Sequence, residues 1–479
     1  MAGIGIKLNR IFDRRPVAAR LYGFAYSGLV TVAPMFTVMG AVAAGQALLG
    51  YAAVGYARRA LFSGTLLYMF IFSMIVASPF ATAASRRLSD ALYSGRSGAA
   101  LPTFYAGLAA ALAAGALLAA PFCLRAWLTR GMPLAWALAG FCGFGALLAA
   151  AYAQPFLAIG EKHLPVALFH ALGMALAVLL AWMLGRLLRW EPTLALLTGL
   201  SAGLALVVSL EIACLHACFP SGGRIREAAR AFPPRLRLPI ASLLHALGLY
   251  VHNFVFWAAA GDGNLPGGFL MLPAYDTATF LALFTNISAP VIFTVRLEMR
   301  LHSRMAAYAD ALAVGRAREI HAAQAALLER ARTELLLLAR LQCGVTAVGF
   351  LLLRSLLPAL GFSGPVMQQY PCLCAGWFMV FLAGAALQLL FALEDETGAL
   401  LTAGLFCLTT AAGALIGARL DGIWRGLGPA AGGFSGFTAA WLSLRRLARR
   451  FDAHAFCRGR LIPRGHGKKP AAQVYARPR

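Results

Sequence analysis

Residues 245–298 read HALGLYVHNFVFWAAAGDGNLPGGFLMLPAYDTATFLALFTNISAPVIFTVRLE. Two apolar runs flank a Gly/Pro-rich turn, and about 20 apolar residues are enough for a helix to cross a bilayer. Polar groups inside a membrane helix are costly and usually face the bundle interior or a water-filled route. The stretch therefore predicts two membrane helices whose polar residues are candidates for the lining of a substrate route: His252, Asn253, Asp276 and Asn286.

The first apolar run carries three aromatic residues at helical spacing. Tyr250, Phe254 and Trp257 fall at i, i+4 and i+7 and share one helix face, whereas His245 and His252 share another. Such a face suits a substrate with both hydroxyl groups and apolar ring faces. The alternative interpretation is ordinary helix packing with a satisfied core histidine.

Motifs spread over most of the chain follow the pattern of one membrane-protein family. In this stretch FxxW precedes the Gly-rich turn, and Pro-x-Tyr-Asp leads into Phe-Leu-Ala, a mid-helix proline and a terminal glutamate. The opening MAGIG, the segment Arg87-x-x-Asp90-x-x-Tyr93-x-Gly95 with Leu101-Pro102 after it, and the acidic pair Glu394-Asp395 agree with it. The residues of the stretch that carry the match are Phe254, Phe256, Trp257, Tyr275, Asp276, Phe280, Leu281, Ala282, Pro290 and Glu298. The chain resembles the PelG-like proteins, the inner-membrane transport components of Pel exopolysaccharide secretion.

The resemblance implies a fold and a set of partners. PelG-like proteins are similar to the multidrug, oligosaccharidyl-lipid and polysaccharide flippase superfamily, whose fold has two six-helix bundles. The expected partners are the polysaccharide itself, a cytosolic glycosyltransferase and inner-membrane regulatory subunits that bind cyclic di-GMP. Tyr275 joins the route candidates through the family pattern. The chain departs from that pattern at His252-Asn253, where an Asp-Lys pair is expected, and at Glu396-Thr397, where Arg-Arg is expected. A mechanism built on those charges does not transfer.

Composition alone places the chain in the membrane. Of its 479 residues, 60% are hydrophobic and 13% charged, and the mean hydropathy is +0.73, far from the values of soluble domains. The chain is predicted to be an all-α polytopic membrane protein with about twelve transmembrane helices. The apolar runs that predict them are 21–48, 61–84, 100–122, 132–157, 164–185, 192–218, 238–260, 274–296, 334–358, 372–393, 399–419 and 426–444.

The formal net charge of +24 is distributed as expected for an inner-membrane protein. With the N-terminus inside, 33 of the 42 lysines and arginines fall in the inside segments, as the positive-inside rule predicts. This distribution argues against nucleic-acid binding. It predicts a multi-pass protein of the bacterial inner membrane, in contact with the bilayer, with both termini in the cytoplasm and the first helix retained rather than cleaved.

The predicted spans divide the chain into five parts. Residues 1–20 form a cytoplasmic amphipathic N-terminus, 21–218 the first six-helix bundle and 219–237 a basic cytoplasmic linker. Residues 238–444 form the second bundle, and 445–479 a basic cytoplasmic tail. Within the second bundle, the cytoplasmic segment 298–333 carries Leu301, Met305, Tyr308 and Leu312 on one stripe, as in an interfacial helix. Its basic residues suit anionic lipid or, alternatively, a cytosolic partner.

A weak internal repeat relates the two halves. Pro79 and Pro290 follow similar residues, and Asp-Ala-Leu-x-x-Gly-Arg closes both copies, at 90–96 and 310–316. The repeat pairs the second helix with the eighth and predicts two six-helix bundles related by a parallel pseudo-repeat, with the substrate route between them. Both prolines would weaken backbone hydrogen bonding at matching depths and allow a bend or gate.

The same pairing predicts a cytoplasmic gate. Glu298 lies at the end of the eighth helix, where a carboxylate meets the unfavourable negative end of the helix dipole and needs a partner. Arg86 or Arg87, at the matching end of the second helix, is the candidate partner. Such a pair would hold the cytoplasmic side shut.

The sequence indicates a transporter rather than an enzyme. It contains no Walker A loop, no HExxH and no serine nucleophile motif, and the scattered cysteines indicate no metal site; no cofactor is expected. The predicted function is a flippase that exports a hexosamine-rich, Pel-type exopolysaccharide for the biofilm matrix. One alternative is a lipid-linked oligosaccharide flippase or ion-coupled small-molecule exporter of the same fold. A remote alternative is an integral-membrane polymerase or acyltransferase using His252, His170 or Glu211.

Overall fold

In the computed structural model, residues 17–160, 162–220, 222–230, 236–261, 265–294, 299–362 and 364–451 are described, and these are helical with short connections and no strand. Three predicted features lie outside the described residues: residues 1–16 of the amphipathic N-terminus, Glu298, and the tail beyond residue 451. Twelve long helices follow one another along the chain. They are α1 (Val17–Leu48), α2 (Tyr56–Tyr93), α3 (Ala100–Thr129), α4 (Leu134–Ile159), α5 (His163–Trp182), α6 (Pro192–Cys218), α7 (Arg237–Ala260), α8 in two segments (Pro273–Thr285 and Ser288–Ile292), α9 (Ala317–Leu356), α10 (Pro365–Ala392), α11 (Glu396–Gly417) and α12 (Leu427–Arg449).

Most of these helices are long and apolar enough to cross a membrane. Within the described ranges nine helices meet that criterion, namely α2 to α7 and α9 to α11. Of the other three, α1 holds an apolar stretch from Val32 to Leu48, α8 is divided by a turn, and α12 is glycine-rich with arginines in its last turn. The prediction of an all-α protein with about twelve membrane helices is confirmed.

The helices form two bundles, each with its own apolar core. One core joins α2, α3, α4, α5 and α6 through large buried side chains such as Phe104, Trp136 and Phe156. The cores of the second bundle join α7 to α12. In α12 glycines replace bulky side chains: a Cβ atom added at Gly433 would lie 2.6 Å from the backbone nitrogen of Val380 in α10. Small residues let membrane helices approach closely.

The packing order of the first bundle recurs in the second at an offset of six helices. The contacts of α1 with α5, α2 with α4 and α4 with α6 have counterparts in α7 with α11, α8 with α10 and α10 with α12. The contact of α5 with α6 likewise corresponds to that of α11 with α12. The two bundles are therefore related by a parallel pseudo-repeat, as predicted.

The two repeat prolines behave differently. Helix α2 runs unbroken past Pro79, and the hydroxyl of Ser78 donates to the carbonyl of Ile75, 3.0 Å away. That carbonyl is the one that loses its amide partner at a proline, so Ser78 supports the continuous helix. Helix α8 instead breaks at Asn286 and Ile287, just before Pro290. A matching bend at both prolines is not what the structure describes.

A short helix between α8 and α9, Met299–Val314, called the surface helix below, packs on the second bundle. Leu301 and Tyr308 of the predicted apolar stripe are buried in that bundle's core, and Tyr308 contacts Phe451 edge to face, with ring centroids 5.5 Å apart. Leu312 remains exposed. Much of the stripe thus packs against protein rather than lying open to a lipid surface.

Candidate translocation interface between the two bundles

The two bundles meet along two pairs of helices. The larger contact is between α2 and α7, and a smaller one joins α1 to the second segment of α8. The pseudo-repeat relates α2 to α8 and α7 to α1. The α2–α7 contact and the α8–α1 contact are therefore equivalent in the two halves. The candidate site is therefore the surface on which the pseudo-symmetric halves face each other.

Stacked aromatic rings close one end of the α2–α7 contact. Tyr68 stacks on Trp257 with ring centroids 5.3 Å apart and an interplanar angle of 7°, and Phe72 stacks on Phe254 at 5.5 Å and 11°. The residues are four apart on α2 and three apart on α7, so each pair lies on one face of its helix. Tyr250, on the same face of α7, packs in the same apolar cluster.

The loop before α8 fastens this end. The hydroxyl of Tyr68 donates to the carbonyl of Leu270 at 3.2 Å and accepts from the Leu270 amide at 3.0 Å. The Phe269 ring lies edge-on to Tyr68, with centroids 4.8 Å apart. Tyr68 therefore connects the first bundle to both α7 and the loop of the second.

An apolar cavity of about 150 Å³ lies beside the aromatic contact, lined by residues of the first bundle and by Phe269 of the loop before α8. Tyr68 and Phe72 form part of its wall, together with Phe122 and Trp136. The Trp136 indole donates to the Thr65 hydroxyl at 2.9 Å, which satisfies its buried N–H group. The two interface rings of α2 thus have space on the side away from α7.

Asp276 holds α8 against α7 beside the aromatic pairs. One of its oxygens accepts from the Asn253 amide at 2.8 Å and from the Trp257 indole at 2.9 Å, and the other accepts from the Leu272 backbone amide at 3.1 Å. The carboxylate thus accepts hydrogen bonds from two side chains of α7 and from the backbone amide just before α8. Asp276 fixes the orientation of Trp257, whose ring forms the interface.

His252 and Tyr275 face the interior of the second bundle. Nδ1 of His252 lies 2.8 Å from the Tyr275 hydroxyl, and its ring lies edge-on to Trp377 of α10, with centroids 6.2 Å apart. Both residues are buried. On α7 the spacing of His252 puts it on a different face from Tyr250, Phe254 and Trp257. The structure brings neither His252 nor Tyr275 to the surface that faces the first bundle.

Asn286 also lies inside the second bundle, at the break in α8. Its oxygen accepts from the Thr346 hydroxyl at 2.7 Å and from the Gln342 amide at 3.3 Å, both on α9. Its nitrogen donates to the carbonyls of Ala282 and Cys374. Because all these groups are buried away from the first bundle, Asn286 braces the broken helix rather than lining the interface.

Polar contacts and an ion pair close the opposite end of the α2–α7 contact. The Thr82 hydroxyl donates to that of Ser242 at 2.9 Å, and Ser242 donates to the carbonyl of Ser78 at 3.2 Å. One turn further along α2, Arg86 pairs with Glu394, with an N–O distance of 2.8 Å. The interface thus changes from aromatic at one end to polar and charged at the other.

Glu394 occupies a backbone conformation that disfavours side chains. It follows α10 with φ of +62°, and the Asp395 and Glu394 amides bond the carbonyls of Leu390 and Phe391. This helix-ending turn usually carries glycine. A side chain in the left-handed region costs about 1–2 kcal/mol, and Glu394 carries one here with its carboxylate 2.8 Å from the Arg86 guanidinium.

The pairing of Glu298 with Arg86 or Arg87 stays a prediction, because Glu298 lies outside the described residues. The structure describes an ion pair of Arg86 with Glu394. The acidic pair 394–395 stands out in the sequence, but no pattern shows that a loop after α10 reaches α2. Tyr68, Phe72 and Ser242 were also missed, because a mid-helix aromatic or serine looks the same in sequence whether it packs within a bundle or between bundles.

A family model described as "PelG: Putative exopolysaccharide Exporter (EPS-E)" matches residues 1–456. The chain belongs to the PelG family. The resemblance to the PelG-like proteins that the sequence motifs indicated is thereby confirmed. No curated protein matches the chain.

The fold of this PelG-family chain is similar to that of MATE transporters. A MATE transporter in the bent conformation superposes with a TM-score of 0.61 at 14% identity, over 95% of this chain and 100% of that one. The eukaryotic MATE transporter AtDTX14 superposes with a TM-score of 0.61 at 13% identity, over 93% of this chain and 98% of that one. An inward-facing multidrug resistance MATE transporter of the MOP superfamily superposes with a TM-score of 0.58 at 12% identity, over 88% of this chain and 99% of that one. The PelG-family chain is therefore a multi-pass membrane transporter by family and fold.

Proposed function

We propose that this chain exports a hexosamine-rich, Pel-type exopolysaccharide for the biofilm matrix across the bacterial inner membrane. The observation that carries the proposal is the pair of stacked aromatic contacts on the interface of a PelG-family transporter. Aromatic faces bind apolar surfaces with defined geometry, and sugar rings offer such surfaces between their hydroxyl groups. When the bundles separate, Phe72, Phe254, Tyr68 and Trp257 would offer those faces to the polymer.

The proposed mechanism is alternate opening of the two ends of the α2–α7 contact. Rocking of one bundle against another about a central site is a common transporter plan. The aromatic pairs would part at the outer end, and the Arg86–Glu394 pair and the Ser242 hydrogen bonds at the inner end. Each closing contact is formed by side chains of both bundles, so relative motion of the bundles breaks it directly.

The proposed orientation puts both termini and the Arg86–Glu394 end in the cytoplasm. The support is the positive-inside distribution of lysine and arginine. On that side the chain would receive polymer from a cytosolic glycosyltransferase, beside inner-membrane subunits that bind cyclic di-GMP. Arg304 of the helix Met299–Val314 and Arg318 and Arg332 of α9 are exposed, and this orientation would place them in the cytoplasm.

Complementation tests the substrate. The chain is expressed in a bacterium that retains the rest of a Pel-type secretion system but lacks its own family member, and hexosamine in the secreted polymer is measured. Restored secretion supports the proposal. If the membrane-inserted chain restores tolerance to small toxic compounds or flips a lipid-linked oligosaccharide, but secretes no polymer, the exopolysaccharide proposal is wrong.

A second arm tests the aromatic surface. Phe72→Leu with Phe254→Leu keeps both helices apolar and removes the stacked rings, so secretion is expected to fall while the inserted amount stays constant. Phe434→Leu, at an exposed site on α12, is the matched control. Unchanged secretion in the double variant would assign these rings to packing alone.

A further inference from the structure

Glu211 is a fully buried carboxyl group within α6, in the first bundle. Neither of its carboxyl oxygens has a hydrogen-bond partner in the described part of the chain. It lies seven residues before the end of α6, which is about 10 Å along the axis at 1.5 Å per residue. The group is thus inside the membrane-spanning part of α6, a helix that also contacts α2 of the interface.

An ionised carboxylate is very costly at this position. Burying an unpaired charge costs several kcal/mol even after the protein relaxes, and in practice such a group is neutralised instead. Asp276 shows the contrast, because three donors surround its carboxylate. Glu211 has no comparable set, so in the conformation that the structure describes it carries a proton.

The titratable groups on the helices packed against α6 are engaged elsewhere. Tyr152 of α4 donates to the carbonyl of Phe104, His170 of α5 bonds the carbonyl of Val166, and Arg86 of α2 pairs with Glu394. Helix α1 contributes no charged residue between Val32 and Leu48. On α6 itself Cys214 lies one turn from Glu211, and the charges of both Glu211 and Lys162, which lies just before α5, act on its thiol. In the described part of the chain no cation hydrogen-bonds either carboxyl oxygen of Glu211.

We propose that Glu211 is a proton-binding site whose loading and release drive the opening of the two bundles. The inference rests on the proposed transport function and adds its energy source. In the closed conformation the protonated form is stable. When the bundles separate and water reaches α6, the carboxyl group releases one proton to the aqueous phase on one side, and it takes one up from the other side before closing; no other bond changes.

Infrared spectroscopy of the purified full-length protein in lipid tests the protonation state. Wild type at neutral pH is expected to show a protonated carboxyl C=O band that is lost in Glu211→Gln. The exposed Glu227, in the short helix Ile225–Arg230, is the control site, and Glu227→Gln should leave the band in place. If Glu211→Gln removes no such band, the carboxyl group is ionised and the proposal is overturned.

Hydrogen–deuterium exchange tests the coupling without any substrate. Peptides covering residues 66–84 of α2 report opening of the interface. After correction for intrinsic exchange, their protection in wild type is expected to fall as the pH rises, because loss of the proton favours the open state. Glu211→Gln, which is always neutral, should lose that pH response. An identical pH response in both proteins overturns the coupling.

Secretion separates this proposal from the one on which it rests. Glu211→Gln is expected to abolish polymer export at normal membrane abundance, with Glu227→Gln unchanged. If wild type exports polymer and Glu211→Gln exports equally well, Glu211 is a buried structural acid and only the energy source is wrong. If wild type itself exports no polymer, the proposed substrate fails, while the exchange experiment still decides the proton site.

Discussion

At the scale of single residues, Asp276 is the buried acid that positions a ring of the proposed polymer-binding surface. Its two oxygens accept from three donors, and one of these is the Trp257 indole whose ring stacks on Tyr68. Asp276→Asn keeps the shape but turns an NH2 group toward at least one donor. Since a buried group left unsatisfied costs about 1–3 kcal/mol, the thermal unfolding midpoint in detergent is expected to fall.

The control for Asp276 is Asp310→Asn, at an exposed site on the surface helix, which should unfold at the wild-type temperature. Equal midpoints for wild type and Asp276→Asn would mean that the three hydrogen bonds do not stabilise the fold. In that case the role of Asp276 in holding α8 against α7 would also be wrong.

The Arg86–Glu394 pair gives a prediction about transport rather than stability. Arg86 is 27% exposed and Glu394 53% exposed, and exposed ion pairs contribute little to stability. Glu394→Arg is therefore expected to reduce polymer export without reducing the inserted protein, and Arg86→Glu in the same chain should restore part of it. Glu394→Gly relaxes the backbone but removes the charge, so it should behave like the single reversal. Export unaffected by Glu394→Arg contradicts the gate.

At the residue level, the sequence indicates which side chains share a helix face, but not which residues of the other bundle they contact. The 3.6-residue period separated Tyr250, Phe254 and Trp257 from His245 and His252, and the structure places the histidine rings against Phe406 and Tyr275 of the second bundle. The partners Tyr68 and Phe72 lie nearly 200 residues away. Their choice depends on how the two bundles are rotated against each other, which no local pattern encodes.

At the scale of elements, the break in α8 is the feature that the sequence predicted least well. A proline in each repeat suggested two matched bends, but Ser78 supports α2 at Pro79, whereas α8 is interrupted at Asn286, beside a polar cluster on α9 and α10. A broken membrane helix is tolerated where protein groups satisfy its backbone. Those groups come from other helices, so the break is a tertiary feature.

Asn286→Leu is expected to destabilise the second bundle. It removes the acceptor of Thr346 and Gln342, at about 1–3 kcal/mol for each buried group left without a partner. The measurement is the thermal unfolding midpoint, with Ser355→Ala, at an exposed site on α9, as the control. A midpoint for Asn286→Leu equal to that of wild type would show that the Asn286 side chain does not stabilise the interrupted α8.

At the scale of the whole molecule, periodicity and length were sufficient for the fold. Twelve apolar runs near 20 residues long became twelve helices, because a membrane helix must satisfy its backbone internally and match the bilayer thickness. The weak repeat at 90–96 and 310–316 matched a six-helix offset that the packing order repeats throughout. The contacts that close the interface at each end required the structure.

The proposed orientation makes a separate prediction. A reporter that is active only in the periplasm should be active when fused at Gln368, near the start of α10, and inactive when fused at Arg226, between the bundles. The basis is the excess of lysine and arginine on one side of the predicted spans. Membrane abundance of each fusion is the control, and activity at Arg226 would reverse the orientation.

The central claim is that the contact of α2 with α7 must open during export. Thr82→Cys with Ser242→Cys, at two sites whose hydroxyl groups lie 2.9 Å apart across that contact, is expected to form a disulfide between the bundles when oxidised in cells and to stop polymer export, and reduction should restore it. The matched control is Thr409→Cys with Ser435→Cys, whose hydroxyl groups are hydrogen-bonded within the second bundle, and which should export polymer when oxidised. Continued export by a chain fully cross-linked between α2 and α7 would contradict the claim.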